Sequence, residues 1–500
     1  MVEIKVSDRI NTKQIICSLD QWLATCSIIV WIIGVFIVSL LAMIHRSIDY
    51  TVFSIHPMIY PHAYRLSLSF SICAIIIYFR KNRSNSLRID PIIAAFGIVA
   101  IWIFVSSFAT GSYDYFFHAQ EVRGESAVIQ ASYFVILFPS AAIITDETKK
   151  NWLLRIILLL SIVLIIAAFV LWRTQTTSEY FLDWQPSFTS IYANTNYYGY
   201  MLSMLVPLSA AQFVGERSSF WRLLSLSLLV LNTFALVITN TMGAWVACFF
   251  SMVFLIIARK IIDKKIYYNT IIVSVVFLVC FVFAAQASSS LHERFGSTLT
   301  QEDLKIASSY EIVINISAND NFENGPVRDN FYNLFKDISE IMSGSDNSDN
   351  AGSGRWSLWK NAIKYIGEYP LFGIGFEGVL ARELWSSMRS PRPHNEYLQY
   401  ALFYGIPAGI AFFTGCFLVF LRAIKQKSTI STATLSALTG AFGYLVSASF
   451  GISLFYITPF MFMLLGMGCA RKLPIPTEHR LCNYLIILEA MTLHTTYVQY

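Results

Sequence analysis

Charged side chains are scarce in this chain: Asp, Glu, Lys and Arg make up 13% of its 500 residues, against 55% hydrophobic and 15% aromatic. With a mean hydropathy of +0.55, that balance excludes a soluble globular protein. Ionisable side chains are nearly absent from the apolar runs themselves. This argues against ion-coupled transport or proton pumping, which place such groups at mid-membrane, and leaves open a lipid-linked substrate that enters from the bilayer. The eight cysteines (17, 26, 73, 248, 280, 416, 469 and 482) fall in apolar runs or basic-flanked segments, so neither a disulfide framework nor a thiolate metal site is implied. Histidines 45, 56, 62, 118, 292 and 394 match no zinc spacing, and no metal or other cofactor is expected. A nucleophile elbow and a phosphate-cradling glycine loop are both missing. No basic patch interleaved with aromatics points to nucleic acid. The first apolar run ends in AMIHRS, without the small-residue cleavage site of a removable signal peptide, and is expected to stay as an anchor.

What is present is a series of apolar runs of bilayer-crossing length. Twelve are predicted, at 22–44, 60–79, 91–110, 126–145, 152–172, 195–214, 222–240, 243–259, 267–287, 398–421, 431–450 and 452–470. The expected fold is therefore all-α, a polytopic membrane protein embedded in a lipid bilayer. Basic residues alternate between the short loops. One side holds Lys5, Arg9 and Lys13, then Arg80 to Arg88, Lys149 and Lys150, Arg217 and Arg222, Arg259 to Lys265, Arg422 to Lys427, and Arg471 and Lys472; the other has little beyond Arg46, Arg123 and Arg173. The positive-inside tendency then puts both termini in the cytoplasm and the long segment 288–397 outside. The net charge of +5 reflects this sidedness. Four regions follow: spans one to nine over 1–287, an external helical loop over 288–397, spans ten to twelve over 398–470, and a cytoplasmic tail over 471–500.

Two outer turns stand out. The run ANTNYYGYML brings Asn194 and Asn196 to a helix start, where asparagine either caps the helix or binds sugar hydroxyls. NTMGAW at 240–245 makes a very short turn. In the long external segment, Phe331, Leu334, Phe335, Ile338 and Ile341 share a helical face, and 343–354, SGSDNSDNAGSG, has the composition of a linker.

The densest pattern lies between Gly354 and Gly409. Arg355 opens a segment whose Trp356, Trp359, Ile363 and Ile366 repeat at helical spacing. Tyr369-Pro370 ends it, Gly373 and Gly375 permit a tight return, and a second helix is expected from about Glu377 to Met388. Pro393 suits the first turn of a further helix, placing His394, Asn395 and Glu396 at its start. Unpaired amides there favour an anion and a neutral imidazole. A neutral imidazole accepts a proton from a hydroxyl near neutral pH; a cap or a headgroup contact is the simpler role for His394.

These residues resemble the O-antigen ligase and O-antigen polymerase superfamily of bacterial envelope glycosyltransferases. The likeness rests on the twelve-span plan with its large loop between spans nine and ten, on ANTNYYG, on GRWSLW followed by YPLFGIGF, and on HNEYLQYALFYGIPAG. The ligase pattern asks for His, then Asn, Ser or Gln, nine residues, Gly, two residues, and Gly, Thr or Tyr. His394, Asn395 and Gly405 match, and Ala408 stands at the last position with Gly409 beside it.

The resemblance implies a metal-independent, inverting transfer of a glycan from an undecaprenyl diphosphate carrier to an acceptor hydroxyl on lipid A-core or another glycan, at the periplasmic face of the inner membrane. His394 would be the catalytic base. Arg355, with Arg389 and Arg392, would bind the diphosphate through paired donors that match phosphate oxygens; Asn194, Asn196 and Asn395 would contact substrate. One departure is clear. Where the family often carries arginine in a Ser-Arg-Gly-Ala run after span seven, Thr241-Met242-Gly243-Ala244 puts methionine, so Arg173, Arg294, Arg382, Arg389 or Arg392 would have to supply a second cation. Polymerisation of lipid-linked repeats is the alternative within the superfamily, protein O-glycosylation a variant of it, and export or flipping of polysaccharide an alternative outside it.

Overall fold

The computed structural model describes residues 4–44, 49–81, 90–117, 125–177, 188–192, 194–262, 267–296, 336, 341–342, 354–382, 384, 388, 390–427 and 430–469. Among these residues the fold is all helical, with no strand. The principal helices are α1 (Ile4–Ile44), α2 (Asp49–Lys81), α3 (Pro91–Thr110), α4 (Ala127–Ile143), α5 (Glu147–Thr177), α6 (Thr195–Gly215), α7 (Ser219–Ile238), α8 (Met242–Ile262), α9 (Tyr267–Gly296), α10 (Arg355–Glu368), α11 (Glu396–Tyr404), α12 (Ile406–Lys425), α13 (Thr432–Ser447) and α14 (Thr458–Cys469). Nine helices among the described residues are long and apolar enough to cross a membrane. Of the other expected runs, 126–145 and 195–214 overlap α4 and α6, and 452–470 is helical only from Thr458 in α14; none of these three helices is among the nine, α4 and α14 being shorter apolar helices. The amphipathic stretch before 342, the linker and the tail after 469 lie largely or wholly outside the described residues.

Local chemistry sets the helix ends. Asp90 caps α3, its Oδ1 accepting from Ile92 N at 2.9 Å, with Pro91 in the first turn, and Gly111 closes the helix at φ +67°. α4 contains a π turn over Tyr133–Leu137, where the Phe138 amide reaches back to the Tyr133 carbonyl just ahead of Pro139.

α6 is buried along most of its length and packs against α7, α8 and α13. α3 packs on α12, α1 on α2 and α5, and α14 on α4 and α13. One end of the bundle gathers the basic loop residues. There Arg422 pairs with Asp90 at 2.5 Å, Arg155 pairs with Glu216 at 2.8 Å between the rings of Trp152 and Trp221, and the buried Lys150 ammonium donates to Glu147 and Thr434. Gly215 lies against Thr432 and Arg259 at that same end.

Two expected boundaries move. The tenth run, expected over 398–421, is two helices, α11 and α12, because Gly405 sits at φ +88° and Pro407 lacks the amide that would carry a helix through. The helix expected from Glu377 to Met388 is reduced, among the described residues, to the turn Gly378–Ala381 with isolated helical hydrogen bonds after it.

Candidate functional site

The segment YPLFGIGF folds into the break between α11 and α12. Ile374 and Gly375 donate to the carbonyls of Leu402 and Phe403 at 2.8 and 2.9 Å, and Ile406 N donates to Pro370 O at 2.8 Å. The loop thereby satisfies carbonyls that the end of α11 leaves unpaired. α3 fixes it from the other side: Trp102 Nε1 donates to Leu371 O at 2.9 Å, and Ser106 Oγ donates to Phe372 O and Phe403 O. A methyl group at Gly373 or Gly405 would run into backbone of the opposing segment. That is why this glycine-containing loop and the Gly405-Ile-Pro407 break occur together.

α10 ends at Glu368 ahead of Tyr369-Pro370, as its sequence predicts. Its apolar contacts are shifted from the expected face: Ala362 is fully buried, Tyr365 and Ile366 pack on the core, Trp359 lies 6.4 Å from the Phe450 ring, and Ile363 is exposed. α10 packs on α11. Its first residue, Arg355, is half-buried, has no ion pair among the described residues, and lies within electrostatic range of Tyr200. Tyr200 in turn donates to Phe450 O at 3.0 Å.

The two outer turns meet the same place. Gly199 faces Thr241, whose hydroxyl donates to Thr195 O at 3.1 Å, and Gly243 faces the Phe450 ring. The starts of α6, α8 and α10 therefore converge around Tyr200 and Phe450. Asn194 caps α6, Oδ1 accepting from Asn196 N at 2.8 Å. Asn196 itself is half-buried, and its side-chain amide makes no hydrogen bond among the described residues.

His394 precedes α11 by two residues and adopts φ +53°, a left-handed conformation uncommon outside glycine. Asn395 is the cap, its Oδ1 accepting from Leu398 N at 3.0 Å, so Pro393 lies before the helix and not in its first turn. Asn395 thus spends its side-chain carbonyl on the backbone, and His394 sits just beyond that cap.

Arg392 is placed differently from the diphosphate-binding role the sequence suggests. It is fully buried. Nη1 donates to Glu125 Oε2 and to the Ser453 carbonyl, each at 2.8 Å, and Nε and Nη2 donate to Glu377 Oε1 at 2.8 and 2.5 Å. Burial works against its charge, but the two carboxylates outweigh burial and hold the guanidinium above its ordinary pKa. Glu125 also accepts from Tyr133, Gln130 and Ser453, while Ser453 accepts from Gln399 and Gln130 accepts from Tyr404. Sequence reasoning missed Glu125 and Glu377 as partners; their distance along the chain gives no signal. Arg389 lies outside the described residues. Of the other arginines considered, Arg382 stacks over the Tyr369 ring.

Glu396, in the first turn of α11, is also fully buried. Its Oε2 accepts from Tyr444 at 2.9 Å and Oε1 makes no hydrogen bond. Burial pushes this carboxyl up to about 8, Glu125 adds to the rise, and the Tyr444 bond and Arg392 oppose it.

Fold and site together define a multi-span helical membrane protein whose polar centre lies at the end of the bundle opposite its basic loops. Residues 227–413 match a family model described as O-antigen ligase. The match runs from within α7 into α12 and includes Met242, Arg355, Arg392 and His394. It bears out the superfamily likeness and supports a function of O-antigen ligase or polymerase type. No curated protein matches the chain.

Proposed function

We propose that this protein transfers a glycan from a polyprenyl diphosphate carrier to an acceptor hydroxyl, in the manner of an O-antigen ligase, with lipid A-core as acceptor. The observation that carries this reading is Arg355, a half-buried guanidinium with no carboxylate partner among the described residues, set where α6, α8 and α10 converge. A cation so placed suits an anionic ligand; Arg392, already neutralised twice over, does not. Arg355 would hold the diphosphate and stabilise the charge it gains as the glycosidic bond breaks. A diphosphate is a good leaving group, so the chemistry asks the protein for cations and a base. His394 would take the proton from the acceptor hydroxyl as that oxygen attacks the anomeric carbon, giving inversion. Asn196, with its amide uncommitted, suits a sugar hydroxyl. The site would face the periplasm, since the basic end of the bundle would face the cytoplasm.

Deletion of the gene followed by analysis of envelope glycans tests the reading. Lipid-linked polymer accumulating while the lipid core stays bare supports ligation. Single repeats on the core would indicate a polymerase, and glycan trapped on the cytoplasmic face would indicate a flippase.

A further inference from the structure

We propose that Arg392 is a positioning residue: clamped between Glu125 and Glu377, it fixes the backbone turn that presents His394. The proposal rests on His394 being the base in the reading above.

The buried cluster joins four separate pieces of chain. Glu125 stands just before α4, Glu377 follows the YPLFGIGF return, Ser453 lies between α13 and α14, and Arg392 is two residues before His394. All four side chains are buried to 0% exposure. Arg392 divides its fork, with one edge on Glu377 and the remaining nitrogen on Glu125 and Ser453, so its position is fixed from two directions. Its backbone is held as well, because Ser390 Oγ donates to Arg392 O at 2.7 Å.

Among the described residues, two of the non-glycine residues with positive φ lie here, Glu377 at +51° in the clamp itself and His394 at +53° beside it. Left-handed turns at such residues persist only where surrounding structure over-determines them. On the far side of His394 the chain is pinned again by the Asn395 cap and by Tyr397, whose hydroxyl donates to Leu445 O at 2.8 Å. His394 is thus the short step between a buried ion cluster and a capped helix. A general base needs its acceptor within hydrogen-bond reach, and small misplacements are expensive in rate.

The charge balance offers a way to test this. Glu125, Glu377 and Arg392 together carry one excess negative formal charge, so Glu377→Gln keeps the Glu125–Arg392 pair while losing the charged hold on Nε and Nη2. Arg392→Lys keeps the charge and loses the fork. The full-length protein in detergent is assayed with lipid-linked glycan purified from cells lacking the gene and lipid A-core as acceptor. Expected for both variants is a fall in kcat of about tenfold or more with KM within about threefold, on protein that is folded by thermal melting. Wild-type kcat in the folded variants, or a loss lying wholly in KM, overturns the proposal. If neither variant folds, Ser453→Ala, which removes one hydroxyl and keeps the carbonyl, decides between the outcomes: reduced kcat at unchanged KM supports positioning, and wild-type kcat overturns it. Failure of positioning is distinguishable from failure of the transferase reading. An active His394→Ala protein defeats the transferase assignment, whereas an inactive one beside a fully active Glu377→Gln protein defeats positioning alone.

Discussion

Arg392 Nη1 lies 2.8 Å from Glu125 Oε2, an ion pair between residues 267 positions apart with both side chains fully buried. It divides the arginines of this chain by role. Arg392 is committed inside the protein, whereas Arg355, half-buried and without an ion pair among the described residues, is the cation proposed above to meet the ligand.

If Arg355 grips phosphate through two donors, replacing it with lysine removes the paired geometry while keeping the charge. Arg355→Lys is expected to lower transfer by about tenfold, and Arg355→Ala by about a hundredfold or more. Rates measured on equal amounts of inserted protein decide this. A lysine variant as fast as wild type would mean that Arg355 acts, at most, as a point charge.

Glu396 links the site to pH. Its folded pKa of about 8 lies above that of an unfolded glutamate, so the folded state holds a proton that the unfolded state has released. The stability from this group is whole below about pH 4.5 and is lost as pH rises toward 8, at about 1 kcal/mol per pH unit. Thermal midpoints of wild type should therefore fall between about pH 5 and 8 more steeply than those of Glu396→Gln, which carries no such proton. Parallel curves for the two proteins would contradict the assignment.

The break between α11 and α12 depends on Gly405. Any side chain there meets both an unfavourable φ and the Leu371 carbonyl. Gly405→Ala should destabilise by about 2 kcal/mol or more, seen as a lower melting temperature and reduced accumulation in membranes. Ala408, three residues on and inside α12, is buried but helical, and its replacement by glycine should be milder, about 1 kcal/mol.

Much of this architecture is legible in the sequence because its signals are local. Span positions follow from hydropathy, the stop of α10 from Tyr369-Pro370, the return from Gly373 and Gly375, and the cap from Asn194. The division of 398–421 is hidden from hydropathy, since both halves are apolar; Gly405 and Pro407 are its only marks. The role of Arg392 is illegible for a different reason. Its position near His394 suggests a phosphate ligand, and only the fold brings Glu125 and Glu377 against it. Asn395 shows the same limit: sequence places it at a helix start, and the structure decides that its carbonyl goes to Leu398 N.

The central claim is that His394 carries the reaction. The direct test is glycan transfer by His394→Ala, using membranes in which the variant is inserted at wild-type levels and melts at the wild-type temperature. A base in this position predicts transfer reduced by about a hundredfold or more, with lipid-linked glycan accumulating. Transfer at the wild-type rate would contradict it.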